Sequence, residues 1–195
     1  MILEGAHIRL EPLEQRHAEG LAAASANDPE LYRWSLVPQT PEAVARYIDA
    51  AQSAVPFAVI RLADEKIIGS TRFWLLEKWA WPEDHPRCGK PYDACEIGHT
   101  WYTRSAIRTG ANTEARLLML THAFETWEML RVCLHTDARN EPSRAAIARL
   151  GAQFEGILRA HRMAADFTPR DSARFSILTT EWPDVKQRLS GMLKK

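Results

Sequence analysis

Apolar positions recur along the chain with two periods, and the switches between them mark out the elements. Residues 7–13, His-Ile-Arg-Leu-Glu-Pro-Leu, alternate polar and apolar, the pattern of a half-buried strand ended by Pro12. An alanine-rich helix is expected over 13–25, closed by Asn27-Asp28-Pro29. Thr40-Pro41-Glu42 reads as a cap, a first-turn proline and an early acid, leading into Val44, Tyr47, Ile48 and Ala51 at helical spacing. Residues 57–61 and 66–73 predict an antiparallel hairpin across Ala63-Asp64-Glu65, and 96–103 the next strand. A long helix should run from Asn112 or Thr113 to about Leu130, with Leu117, Leu120, Phe124 and Trp127 along one face. Then come a strand over 132–136 and a helix capped by Asn140, with Pro142 in its first turn and Gly151 past its end. Strands over 157–164 and 174–180 flank a loop at 165–171, and a short closing helix starts within 181–186.

Composition narrows the class. A chain of 195 residues that is 46% hydrophobic suits one α/β domain over 1–195 with a sizeable core. Lys+Arg and Asp+Glu balance at 25 each, a formal net charge of +0, which argues against direct nucleic-acid binding. The first residues lack the basic region and apolar core of a signal peptide. No uncharged apolar run approaches the roughly 18 residues of a membrane span. A cytoplasmic protein with no membrane contact is expected, and its 3 irregularly spaced cysteines suit reduced thiols.

The chemistry concentrates in residues 95–115, where a strand, a glycine break and a helix start follow one another. The first amides of a helix have no internal acceptor and sit at the positive end of its dipole, so such a turn suits an anion. Arg108, Thr109, Gly110, Ala111, Asn112 and Thr113 form the expected phosphate-binding turn, with Asn112 as the N-cap. The competing reading is a plain turn.

Residues 77–94 are of another kind, holding Trp79, Trp81, Pro82, Pro86, Gly89, Pro91 and Tyr92. Exposed tryptophan requires a cover, so this insert is expected as a lid over a substrate groove or, in preference, as a contact that makes a homodimer. His85, Cys88, Cys95 and His99 lie close in sequence, but their spacing matches no zinc pattern and no metal is expected.

From Glu96 through Glu181-Trp182 the chain resembles the GNAT acyltransferases, most closely the branch of the ribosomal-protein N-acetyltransferases RimJ and RimL. The resemblance implies a mixed, mostly antiparallel sheet with helices on both faces. It further implies acetyl-CoA as co-substrate and a primary amine, either a protein N-terminus or a small amine, as acceptor. In that family the coenzyme loop reads Q/R-x-x-G-x-G/A; here Ile107 and Asn112 depart from it, which leaves the backbone contacts around Gly110. Asn140 and Ser143 match the family's Asn-x-x-Ser beside the coenzyme thiol, and the backbone of Trp101, Tyr102 and Thr103 would pair with pantetheine. The first two helices would wall the acceptor groove. Leu31, Tyr32, Trp34 and Leu36 between them either line it or belong to the core. Direct attack of a neutral amine then requires three services. Glu96, directly or through water, takes the amine proton, with His99 as rival; a backbone amide serves the carbonyl oxygen; Ser143 protonates the leaving thiolate. The alternative is a coenzyme-binding module without turnover, which Ile107 and Asn112 favour.

Overall fold

The computed structural model describes residues 1–26 and 28–194, so Asn27 of the expected helix-closing tripeptide lies outside the described residues. Among the described residues one sheet of eight strands organises the fold: β1 (Leu3–Glu4), β2 (Ile8–Pro12), β3 (Val55–Arg61), β4 (Lys66–Glu77), β5 (Ala94–Tyr102), β6 (Arg131–Asp137), β7 (Gln153–Met163) and β8 (Pro169–Leu178). Their order is β1-β2-β3-β4-β5-β6-β8-β7. Every pairing is antiparallel except β5 with β6, which is parallel. The expected mixed, mostly antiparallel sheet is present.

Helices α1 (Ala18–Ser25) and α2 (Pro41–Ala51) lie on one face, and α3 (Ala111–Thr121), α4 (Glu141–Leu150) and α5 (Trp182–Leu193) on the other. The larger core joins α3, α4 and α5 to Phe57, Val59, Phe73, Cys95, Ile97, Val132, Leu134, Phe175 and Ile177. The smaller one packs Leu21, Tyr32, Val44 and Ile48 on Ala58 and Trp101. No residue of β6, β7 or β8 belongs to this second cluster. On that half of the sheet the strands instead turn a period-two polar row outward: Arg131, Cys133, His135 and Asp137 on β6, and Arg170, Ser172, Arg174 and Ser176 on β8.

Local chemistry explains where the elements begin. Thr40 Oγ1 accepts from the Ala43 amide at 3.3 Å at the start of α2, and Asn140 caps α4, which ends on Gly151 at φ 105. The first helix starts later than its composition suggests, because Glu14 and His17 close a 3-10 turn, with the Glu14 amide donating to His17 Nδ1 at 3.0 Å. Similarly, α3 stops at Thr121 in a π-turn over His122–Thr126, which seats Trp127 4.9 Å from the Phe73 ring. Strands β7 and β8 run longer than expected toward each other. The loop between them shrinks to a turn held by Ala164 N–H to Thr168 O at 2.9 Å.

The carboxylate of Glu114 on α3 accepts from the amides of Ala6, His7 and Ile8 at 2.7 to 2.9 Å, which clamps the N-terminal turn to the helix. Residues 77–94 are ordered by a buried acid. Asp93 accepts from the Trp79 amide at 2.7 Å and from Trp81 Nε1 and Arg87 Nε at 2.8 Å each. His85 stacks on Trp81 at 4.2 Å, leaving Trp79 as the tryptophan that stays 40% exposed. Among the described residues no group of His, Cys, Asp or Glu is placed to hold a metal ion, and no helix is long and apolar enough to cross a membrane.

Candidate functional site

Strands β5 and β6 pair only at Ala94↔Arg131, Cys95↔Val132 and Glu96↔Cys133, then part. From Ile97 onward β5 has β4 on one side and, among the described residues, no strand on the other. It also bulges there, since the register slips between Ser70 and Arg72 and His99 takes φ 50. Such an edge leaves backbone groups that call for a partner. The opening starts earlier than the expected Trp101 to Thr103. Moreover, the Thr103 amide donates back to Ile68 O at 2.8 Å, and Tyr32 Oη donates to Tyr102 O at 3.2 Å. Thr103 is therefore corrected as a pairing residue, because its amide is already used. Buried Arg116 braces the bulge through Thr100 Oγ1 at 3.0 Å.

Past the bulge the chain makes a 3-10 turn over Arg104–Ala106 and reaches α3. Gly110 is the N-cap and Ala111 the first helical residue, so the assignment of Asn112 as cap is corrected: Asn112 stands one turn-position inside the helix. The reason is Thr109, whose hydroxyl donates to Ala106 O at 2.7 Å and accepts from the Ala111 amide at 3.2 Å, doing the capping from outside. The amides of Asn112 and Thr113 have no acceptor among the described residues. Gly110 has a helical φ of −68, so its lack of a side chain is not needed for backbone conformation; the left-handed residue of the turn is Arg108 at φ 62. A Cβ on Gly110 would meet Leu193 Cδ2 at 3.4 Å, ordinary contact.

On the far side of the fork, Asn140 Oδ1 accepts from the Ser143 amide at 3.1 Å. That leaves the half-buried Ser143 hydroxyl without a partner among the described residues. Nearby, Asp137 chelates Arg139, whose guanidinium also covers Trp34 at 5.1 Å while Arg33 lies 5.3 Å from the same ring. Of the loop candidates, Tyr32 is core, stacked edge-on at 5.8 Å from Trp101; Leu31 and Trp34 are half-buried, and Leu36 is 56% exposed.

Glu96 sits at the root of the fork, 3% exposed, on the face that α1 and α2 only partly cover. Arg162 grips it with Nη1 at 3.1 Å and Nη2 at 2.8 Å, and His135 Nδ1 lies 2.8 Å from Oε2. Burial works to raise the Glu96 pKa, but His135 and Arg162 outweigh it and push the group down to about 2. Glu96 is thus held as a carboxylate at neutral pH and is a weaker base than an ordinary glutamate. His99 is exposed at one edge, with its ring 4.6 Å from that of Trp74. Desolvation, and then the Arg72 guanidinium, push its pKa down to about 4, so it is a neutral imidazole at pH 7. The sequence reading missed His135, His161, Arg162, Trp74, Arg72 and Arg170, which surround these two. The period-two polar row on 131–137 and 170–176 was the available signal; nothing local said which residues meet across the fork.

A family model described as an acetyltransferase (GNAT) domain matches residues 7–153. No curated protein matches the chain. Among solved structures, a GCN5-related N-acetyltransferase from Brucella melitensis is 32% identical, with a TM-score of 0.86 over 99% of this chain and 85% of the other. Mycobacterium smegmatis RimJ, solved in complex with CoA-disulfide, shares the fold at 22% identity and a TM-score of 0.76, covering 95% of this chain and 88% of its own. The ribosomal-protein-S5-alanine acetyltransferase from Vibrio fischeri shares it at 19% identity and 0.70, over 93% and 98%. Motif, forked sheet and family match agree: this chain belongs to the GNAT acetyltransferase family.

Proposed function

We propose that the protein transfers an acetyl group from acetyl-CoA to a primary amine by direct attack, as an enzyme of the RimJ/RimL-like branch. The observation that carries this reading is the one-sided edge of β5 from Ile97 to Tyr102, which ends beside the free amides of α3. Acetyl-CoA supplies the activated thioester. The amides of Asn112 and Thr113, with the open approach over Gly110, suit its pyrophosphate. The edge of β5 suits pantetheine as a pseudo-strand. That RimJ was crystallised with a coenzyme A derivative supports the assignment.

His99, at φ 50, interrupts the regular edge of β5, and we assign a backbone amide of this edge to the thioester oxygen as it gains charge. Ser143, with a hydroxyl not used by its cap, protonates the departing thiolate. As the N–C bond forms, the nitrogen becomes far more acidic than a free ammonium. A weak base therefore suffices, and Glu96 through water, with His99 as the rival, remains the exit for that proton. Trp79, held out by the Asp93 anchor, is the contact we assign to a homodimer.

Isothermal titration with acetyl-CoA and a thiol-release assay over a panel of primary amines test this reading. Micromolar binding with amine-dependent thiol release is expected. Binding without release from any amine identifies instead the module without turnover, which the exposed Ile107 at the usual Gln/Arg position favours.

A further inference from the structure

Charge around the acceptor end of the fork does not balance. Three guanidinium groups gather beside His99: Arg162 on β7 stacks on Trp74, whose indole lies 4.6 Å from the His99 ring, Arg170 on β8 stands across from Arg162, and Arg72 lies two residues before Trp74 on β4; Glu96, held by Arg162, is the carboxylate among them. Glu96 is already committed to Arg162 and His135. The next acid, Asp137, is chelated by Arg139, which also reaches Asp166 at 3.3 Å. Arg72 and Arg170 therefore have no carboxylate partner among the described residues.

Both are held in place nonetheless. Arg72 is 7% exposed, stacked 4.8 Å over the Tyr47 ring, and its buried Nε has no acceptor among the described residues. Arg170 gives its Nε to Ser172 Oγ at 3.0 Å and stands directly across the strand pair from Arg162. Like charges in that register repel, and a buried guanidinium lacking an acceptor is costly. The same trough contains the buried Trp74 Nε1, a donor with no partner among the described residues, beside the Arg162 guanidinium stacked on that indole at 4.2 Å. A cluster of fixed donors with surplus positive charge, at the root of the fork and away from the α3 loop, is built for an anion other than the coenzyme phosphates.

Resting on the acetyl-transfer reading above, we propose that the acceptor is an amine carrying a carboxylate or phosphate close to its reacting nitrogen, with Arg72 and Arg170 holding that anion. Attraction of the anionic group by the arginines orients the nitrogen along the β5 edge before it attacks.

The test compares acceptors that differ only in the anion: O-phosphoethanolamine with ethanolamine, and the tripeptide amides Asp-Ala-Ala and Asn-Ala-Ala. The wild-type protein is expected to favour each anionic member at least tenfold in kcat/KM, and the stronger pair tells phosphate from carboxylate. Arg72→Gln and Arg170→Gln should each reduce that ratio about tenfold, through KM for the anionic member. The Kd for acetyl-CoA reports separately, as does a melt that checks the fold. Equal turnover of charged and neutral partners overturns the proposal while leaving the transferase reading intact. A rise in the coenzyme Kd in both variants, with the acceptor ratio unchanged, assigns the arginines to the coenzyme and overturns it as well. Should no amine turn over, titration of O-phosphoethanolamine into the CoA-loaded protein decides: binding lost in the variants supports the anion site, and no binding to the wild type refutes it.

Discussion

Glu96→Gln keeps the size of the side chain and removes its charge, leaving Arg162 and His135 facing a neutral amide in a region already rich in guanidinium groups. The size of the effect follows from the titration. A shift from the usual 4.5 to about 2 corresponds to about 3 kcal/mol of folding stability at neutral pH. The Arg162 side chain keeps 23% of its surface exposed, so solvent recovers part of the lost pairing and about 2 to 3 kcal/mol remains. The pKa is lowered on folding, so this stability is fully present above the unfolded pKa and is lost as pH falls toward the folded one. Wild type and variant should therefore differ by roughly 4 to 12 °C in Tm at pH 7. That gap should narrow steadily below about pH 4.5. Thermal melts at a series of pH values read it directly. A variant as stable as wild type at pH 7, or a gap that stays constant down to pH 3, refutes the ion-pair account. Activity gives an independent check: because Glu96 is ionised throughout pH 5 to 9, the wild-type rate profile should show no acid limb that the Gln variant lacks.

Other expectations are more local. Gly110→Glu fits the fold, since the position has helical φ and only Leu193 nearby, yet it sets a carboxylate against the anion turn; the acetyl-CoA Kd should rise tenfold or more, about 1.4 kcal/mol, by calorimetry with an unchanged melt. Ser143→Ala preserves the cap, which uses the Ser143 amide and not its hydroxyl, so stability should change by less than about 1 kcal/mol while turnover drops roughly 10- to 100-fold. A loss of many degrees in Tm would make that serine structural. Trp79→Ser leaves the Asp93 anchor intact, because Asp93 takes the backbone amide of residue 79; light scattering should then report a monomer in place of a dimer.

The helices and strands were legible wherever one local rule sufficed. The cap at Asn140, the cap and proline at Thr40-Pro41 and the alternation of 7–13 each became the element they predict. Boundaries failed where a side chain several residues away took over a backbone group. Thr109 caps α3 from outside and moves its start to Ala111, and the Glu14–His17 turn delays α1. The tryptophan-rich insert was read as a surface in want of a cover; one acid, Asp93, gathers Trp79, Trp81 and Arg87 and leaves only Trp79 substantially bare.

The proposed coenzyme half of the site could be read because its parts are contiguous: strand, turn and helix start lie within some twenty residues, and the groups proposed to bind are backbone amides, which every side chain leaves in place. The acceptor half could not. Glu96 and Arg162 are 66 positions apart, and their meeting depends on β6 and β8 intervening while β7 returns along the sheet edge. A carboxylate on a strand carries no mark of whether it faces water, a base's work or a guanidinium, and here His135 and the Arg162 guanidinium together set its pKa and so its chemistry. The same geometry that weakens Glu96 as a base leaves Arg72 and Arg170 without counter-charges among the described residues, so the weakening at one residue and the surplus at two others share one cause. If the acceptor brings the missing anion, the fork is electrically complete only when loaded, and specificity resides in the half of the site that no local motif records.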